Sequence, residues 1–133
     1  MVAEYEGPQI EKEGRTPMRT TRERIRAKTA EIEHEMKRIG HWQSEPLRPE
    51  QYQFRSAFAM DTMAFSQWLQ FIFIPRVKNM IETGEKFPPD SQNGAQAVRE
   101  FDGDDRAQGL VSLLSEFDEI IRQGSRGWRR FFG

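Results

Sequence analysis

The amino-acid sequence predicts an all-α, single-domain protein built as a three- or four-helix bundle. Two observations indicate this class. Apolar residues recur three and four positions apart in three long segments, and no segment shows the strict alternation of a half-buried strand. The chain has 133 residues, of which 36% are hydrophobic. That supply suits one core of about 100 ordered residues, whereas two separate domains would each have too little to bury.

The first helix is predicted to begin between residues 16 and 21, with Pro17 in its first turn and Thr16 or Thr21 as its cap. Its apolar residues form one narrow seam, which is typical of an amphipathic helix packed in a bundle. The seam consists of Met18, Ile25, Thr29, Ile32, Met36 and Ile39. Gly40 is expected to follow the last helical residue, since glycine readily adopts the left-handed conformation there.

A long ordered connector and a proline-kinked central helix are predicted next. The connector spans residues 41–60, where two prolines disfavour helix and several large apolar side chains require burial against the core. Asp61 or Thr62 is expected to cap the central helix, which runs from Met63 to about Thr83. Pro75 lies inside it, and because proline has no backbone N–H we expect a kink there.

Two further helices complete the predicted bundle. A short one is expected from about Gly94 to Phe101, with Asn93 as its cap. The turn Asp102–Asp105 breaks the chain and is expected to cap the last helix. Apolar residues of that helix repeat at intervals of three and four up to Gly124, where the helix is expected to end.

The chain divides into three parts. Residues 1–15 form an acidic lead-in without periodicity, which we expect to be disordered; residues 16–124 form the helical domain; residues 125–133 form a basic-aromatic tail. The lead-in lacks the apolar core of a secretory signal, and the longest apolar stretch is far shorter than the ~20 residues of a membrane span. Together with the absence of cysteine, this predicts a cytoplasmic protein.

No catalytic or metal-binding motif is recognisable. The segment Glu33-His34-Glu35-Met36-Lys37-Arg38 lacks the second histidine of a zinc-binding helix, since Arg38 stands in that place. Asp102–Asp105 fails as a calcium loop because its twelfth position is Leu113 and not Glu. There is also no phosphate-binding loop and no nucleophile elbow. We therefore expect a non-catalytic protein with no cofactor and no metal.

Basic residues form a stripe on the first helix. Arg15, Arg19, Arg22 and Arg26 are spaced four, three and four apart, and Arg24 and Lys28 add to them. Cations near a helix N-terminus oppose the helix dipole by about 0.3–1 kcal/mol each. Their presence suggests contact with phosphate or with an acidic partner, although the overall net charge of −1 gives no general attraction to nucleic acid. The simpler interpretation is a solvated face.

The tail alternates bases with aromatic rings, and its candidate contact residues are Trp128, Arg129, Arg130 and Phe131. Arginine beside an aromatic ring can bind phosphate and stack on bases. The same combination can also dock into a protein groove or lie at a membrane interface. The alternative is that these aromatic rings fold back onto the bundle.

Several short motifs resemble the YqcC-like family of small bacterial proteins, a domain of unknown function. The resemblance covers roughly Thr20 to Arg122 and implies an all-helical bundle without established catalytic residues. Family members are often encoded next to a tRNA pseudouridine synthase, so the resemblance implies an accessory role in tRNA modification. The motifs are His41-Trp42, Phe58-Ala59-Met60-Asp61-Thr62-Met63 and Trp68-Leu69-Gln70, followed by Ile74-Pro75-Arg76. Phe71 departs from relatives in which a tryptophan can occur.

The leading functional hypothesis is an accessory protein that helps a tRNA pseudouridine synthase engage tRNA. The stripe would contact phosphate, and the central helix with its connector would form a partner surface. The candidate residues of that surface are His41, Trp42, Asp61, Trp68, Gln70 and Arg76. The alternative is a protein–protein adaptor or regulator that makes no RNA contact and binds an unknown protein. An enzymatic role would require a bound metal or a pocket that gathers His41, Asp61 and Arg76.

Overall fold

The computed structural model describes residues 20–132, with side chains described up to residue 124. This part of the chain is helical and contains no strand, which confirms the all-α prediction. Its α-helices are α1 (Thr21–Arg38), α2 (Phe65–Trp68), α3 (Ile74–Thr83), α4 (Asn93–Glu100) and α5 (Gln108–Phe132). A π-helical segment, Leu69–Phe73, joins α2 to α3 in one rod, so the described residues form four helices and three short 3-10 turns. None of the described helices has the length and hydropathy needed to cross a membrane.

Helix α1 begins with a reciprocal cap between Thr20 and Glu23. The Glu23 N–H donates to the Thr20 hydroxyl at 3.0 Å, and the Thr20 N–H donates to the Glu23 carboxylate at 2.9 Å. The predicted cap at Thr21 is therefore wrong, because Glu23 is spaced to reciprocate only with Thr20; Thr16 and Pro17 lie outside the described residues. From Ile25 onward the predicted apolar seam is buried. The predicted end at Gly40, with a φ of +83°, is confirmed.

The connector is ordered, as predicted, but the central helix starts later than predicted. The Asp61 carboxylate accepts the backbone N–H groups of Arg55 at 3.0 Å and Ser56 at 3.3 Å, so it closes a turn and does not cap a helix. Phe58 and Ala59 hold positive φ values of 57° and 53°, which fold this turn back on itself. Helix α2 begins at Phe65 instead. The prediction of Asp61 or Thr62 as the cap is wrong for this reason.

The irregularity predicted at Pro75 takes the form of the π-helical turn before it. The Ile74 N–H donates to the Leu69 carbonyl, five residues back instead of four. Pro75, in the first turn of α3, has no N–H to donate. The wider turn re-aims the side chains that precede α3. Gly84, with a φ of +78°, ends α3 at the predicted position.

Helix α4 is anchored to α5 by a buried carboxylate. Asp118 of α5 accepts the Gly94 N–H at 2.6 Å and the Ser91 hydroxyl, while Asn93 is itself the first residue of α4. The prediction that Asn93 caps this helix is wrong, because the Gly94 N–H is capped by Asp118, 24 positions after Gly94. A Cβ on Gly94 would lie 2.8 Å from the Ser115 Cα, so α4 and α5 are in close contact there.

Helix α5 runs antiparallel to α1 and extends past its beginning. Lys28 bonds Glu116, Arg24 bonds Gln123, and Thr21 lies beside Gly124. The helix does not end at Gly124 as predicted but continues to Phe132. Gly124 serves close packing, since a Cβ there would lie 2.9 Å from the Thr21 Cγ2.

Candidate partner-binding site

Arg22 of the predicted stripe is used inside the fold. Its guanidinium donates to the Met80 carbonyl at 3.0 Å and to the Glu85 carbonyl at 3.4 Å. It also lies 5.2 Å from the ring centroid of Phe87. The Met80 carbonyl also accepts the Gly84 N–H at 3.0 Å, so Arg22 adds a second donor to it and places a cation at the C-terminal end of α3, where the helix dipole favours one. Arg22 therefore joins α1 to α3 and is not free for phosphate.

Two further cations of the stripe face α5. Arg24 donates to the Gln123 side chain at 3.1 Å. Lys28 contacts Glu116 at 2.7 Å and Glu31 at 3.1 Å. Burial favours a lower pKa for Lys28, but its hydrogen bonds with the two carboxylates outweigh burial and raise the pKa above its ordinary value. Both cations therefore serve packing between α1 and α5.

Arg26 is the stripe cation that the structure leaves exposed. Within residues 20–124 its side chain takes part in no hydrogen bond or ion pair. Arg15 and Arg19 lie outside the described residues. The side chains of the predicted tail contacts, Trp128, Arg129, Arg130 and Phe131, also lie outside them. Among the described stripe residues, Arg22, Arg24 and Lys28 therefore bind within the fold, whereas Arg26 does not.

Trp68 and Gln70 of the predicted partner surface are buried, each with 8% of its surface exposed. The Trp68 ring packs 4.9 Å from the Phe58 ring and 5.5 Å from the Phe73 ring, measured between centroids. The Gln70 amide accepts the Gln43 N–H at 3.0 Å and donates to the Gln43 carbonyl at 2.8 Å. Both side chains hold the connector against the central helix, so neither is available to a partner in this structure.

The other four residues of that surface lie on separate elements. His41 stacks on Phe101 with ring centroids 5.5 Å apart, and Trp42 lies under the Lys37 ammonium at 5.1 Å. Asp61 closes the turn described above. Its pKa is lowered mainly by the hydrogen bond from the Arg55 N–H, and the hydrogen bond from the Ser56 N–H adds to this. Arg76 is exposed on α3. No described contact joins His41, Asp61 and Arg76, so the structure does not gather them into a pocket.

The π-helical segment creates an outer face of which the sequence predicted only Arg76. Burial alternates in pairs along it: Leu69 and Gln70 are buried, whereas the next two residues, Phe71 and Ile72, are half-buried. Phe73 and Ile74 are buried again, and Pro75 and Arg76 are exposed. The outer face therefore combines Phe71, Ile72, Pro75 and Arg76. Arg76 has no hydrogen bond or ion pair among the described residues.

A cleft of about 310 Å³ lies between α1 and α3 and was likewise not predicted. The ion pair between Glu33 and Lys78 at 3.2 Å forms part of its lining, and Arg22 bonds α3 one helical turn before the lining residue Arg26. The hydrogen bond from Lys37 lowers the pKa of Glu33, burial opposes it, and Lys78 adds to the lowering. The lining residues are Arg26, Thr29, Ala30, Glu33, Lys78, Ile81 and Glu82. Within residues 20–124, no group of His, Asp or Glu side chains is placed to hold a metal ion.

Comparisons with known proteins identify relatives of most of this domain. A family model, DUF446, described as tRNA pseudouridine synthase C, matches residues 24–120. An uncharacterized protein of Haemophilus influenzae is 31% identical over 88 residues, which are 64% of this chain and 80% of that protein. The uncharacterized protein YqcC of Escherichia coli is 30% identical over 69 residues, 52% of this chain and 63% of YqcC.

Two more comparisons concern a synthase and a solved structure. A tRNA pseudouridine synthase C of Pectobacterium carotovorum is 28% identical over 64 residues, which are 48% of this chain but 17% of the synthase. The solution NMR structure of YqcC from Escherichia coli superposes with a TM-score of 0.70 at 23% identity, covering 78% of this chain and 90% of that one. This likeness shows a shared fold. Because the family model spans most of the helical domain, this chain belongs to the DUF446 family, the YqcC-like proteins that its motifs resemble.

Proposed function

We propose that this protein is a non-catalytic binding module that associates with a tRNA pseudouridine synthase and assists it in modifying tRNA. The observation that carries the proposal is the match to a synthase, which covers only 17% of that enzyme. A large part of the synthase remains unmatched, and we assign the pseudouridine chemistry to that part. The part of the synthase that resembles this chain is then a binding module. We propose that the present protein supplies such a module as a separate chain, which binds its synthase non-covalently.

We assign the contact with the synthase to the outer face of the π-helical segment and α3. Phe71 and Ile72 offer apolar surface there, and Arg76 supplies a cation without an acidic partner among the described residues. Aromatic residues and arginine are enriched at the centres of protein interfaces. Trp68 and Gln70 support this face from beneath, since both are buried.

We assign a contact with tRNA to Arg26. On the basis of the sequence alone, we assign it also to Arg15, Arg19 and the basic-aromatic tail.

The second candidate function is an adaptor that binds the synthase and never touches RNA. One observation favours this second candidate: Arg22, Arg24 and Lys28 bind within the fold and have little left to offer a phosphate. Each lost phosphate contact lowers the salt dependence of RNA binding, so the two candidates differ measurably.

The decisive experiment mixes the purified full chain with the tRNA pseudouridine synthase C of its own organism. Size-exclusion chromatography is run with and without nuclease, and again with added tRNA. We expect a complex that resists nuclease and that binds tRNA more tightly than the synthase alone does. A nuclease-resistant complex with unchanged tRNA affinity would select the adaptor. Separate elution of the two proteins under all conditions would refute the association.

The RNA contact is tested by charge reversal within the same complex. Arg26→Glu should weaken tRNA binding and flatten its dependence on salt. Arg106→Glu serves as the control, because Arg106 is also exposed and its side chain makes no ion pair among the described residues. Equal tRNA affinities for the two variants would remove Arg26 from the tRNA contact.

A further inference from the structure

The cleft lies between α1 and α3, which are joined at two points. Arg22 of α1 donates to the Met80 carbonyl, and Glu33 of α1 pairs with Lys78 at 3.2 Å. Between them α1 presents Thr29 and Ala30, whose side chains are too short to fill the space.

The floor of the cleft is apolar and the rim is charged. Thr29 and Ile81 form the floor, and they are 2% and 8% exposed. The Thr29 hydroxyl donates to the Ile25 carbonyl at 2.7 Å, so it has no hydrogen left for a ligand. Arg26 on α1 and Glu82 on α3 stand on opposite walls, and neither has a hydrogen bond or ion pair among the described residues.

The charges of the lining exclude phosphate as the natural occupant. Arg26 and Lys78 supply two positive charges, and Glu33 and Glu82 supply two negative charges. A phosphate group would meet repulsion from both carboxylates, one of which already binds Lys78. The lining instead suits an apolar group that is flanked by a base, because Glu82 has no partner among the described residues. Such a group occurs on amphipathic protein helices, which bind in grooves through large apolar anchors.

We propose that this cleft receives one large apolar side chain from a helix of the synthase. A base on that helix pairs with Glu82, whereas Arg26 at the rim keeps the tRNA contact proposed above. The inference rests on the proposed association with the synthase and adds a second contact beside the outer face of α3. The volume of about 310 Å³ is at the lower end of the range for ligand pockets, which suits one side chain. Buried apolar anchors of this kind supply most of the affinity, and flanking charges supply specificity.

The test fills the cleft without removing any existing contact. Ala30→Leu projects a larger side chain into the opening, and Ala95→Leu makes the same change at an exposed alanine of α4. We expect Ala30→Leu to weaken synthase binding about tenfold or more, and Ala95→Leu to leave it unchanged. Circular dichroism melting should be similar for both variants. If the wild type binds and Ala30→Leu binds as tightly, the cleft inference is overturned while the association stands.

A charge substitution separates protein docking from RNA binding. Glu82→Lys removes the anion of the rim and makes the cleft positive. If a synthase helix docks in the cleft, Glu82→Lys should weaken the affinity of this protein for the synthase several-fold in the absence of RNA. If the cleft took RNA, the same variant would bind tRNA alone more tightly and leave synthase binding intact, and that result would overturn the inference. A wild-type chain that does not bind the synthase at all would refute the association and its assigned occupant together.

Discussion

Arg22 and Arg26 lie one turn apart on α1 and are expected to differ in what they do. Arg22 donates to two carbonyls near the end of α3 and lies over the Phe87 ring, whereas Arg26 has no partner among the described residues. Replacing each by alanine makes the same chemical change in two environments. We therefore expect Arg22→Ala to lower the free energy of unfolding and Arg26→Ala to leave it nearly unchanged.

The magnitude follows from the contacts of Arg22. A hydrogen bond that involves a charged group contributes about 1.5–3 kcal/mol, and the value belongs at the low end here because Arg22 is only half-buried. The longer bond of 3.4 Å to Glu85 adds little. The contact with Phe87 adds about 0.5–1 kcal/mol. The loss for Arg22→Ala should be about 2 kcal/mol, whereas an exposed substitution such as Arg26→Ala stays within about 0.5 kcal/mol.

Urea unfolding followed by tryptophan fluorescence measures both variants against the wild type. Arg22→Ala should shift the midpoint to lower urea without changing the slope, and thermal melting should fall by roughly 8 °C for a domain of this size. Arg26→Ala should unfold like the wild type and lose only binding. Equal stability of the two variants would refute the view that the stripe is partly structural.

Three further results are expected. Gly94→Ala should lower the free energy of unfolding in urea by about 1–3 kcal/mol, because the new Cβ would lie 2.8 Å from the Ser115 Cα. A variant as stable as the wild type would mean that α4 and α5 pack less closely than the structure shows. Asp118→Ala should speed amide hydrogen exchange in α4 more than in α1, since it removes the acceptor of the Gly94 N–H. An equal increase of the exchange rates in both helices would contradict the capping role of Asp118. The hydrogen bond from Lys37 lowers the pKa of Glu33 in the folded state. The stabilisation by this ionised carboxylate is therefore present at neutral pH and lost as the pH falls through its lowered folded-state pKa. Glu33→Gln should accordingly lose less melting temperature between pH 7 and pH 3 than the wild type, and identical losses would contradict the Glu33 assignment.

The periodic helices were predictable because their signal is local. The seam from Ile25 to Ile39 and the apolar repeat of α5 follow a spacing that only a helix places on one face. Gly40 and Gly84 end their helices with the positive φ that glycine adopts most readily. These features required no knowledge of any distant residue.

The features that were missed depend either on unusual backbone conformations or on residues far apart in the chain. Asp61 does not cap the central helix because two non-glycine residues, Phe58 and Ala59, adopt positive φ, which sequence patterns do not indicate. Gly124 does not end α5, because it packs against Thr21 from the other end of the domain.

The candidate site was less predictable than the fold for the same reason. Arg22 finds its acceptor 58 residues away, so its position in a stripe gave no sign of an internal role. Trp68 and Gln70 carry the family resemblance, yet both are buried, which indicates that these motifs maintain the fold. The cleft arises where α1 meets α3, and it depends on the short side chains of Thr29 and Ala30 as much as on the charges around them.

Pseudouridine mapping of tRNA is a direct test of the proposal that this chain assists a tRNA pseudouridine synthase. The map is compared between a strain that lacks the gene, the parent strain, and the deleted strain complemented with wild-type or Ala30→Leu protein. We expect loss or reduction of pseudouridine at the position modified by the synthase, with recovery by the wild type and poor recovery by Ala30→Leu. An unchanged map in the deleted strain, under conditions where the parent expresses the protein, would contradict the assignment to tRNA modification.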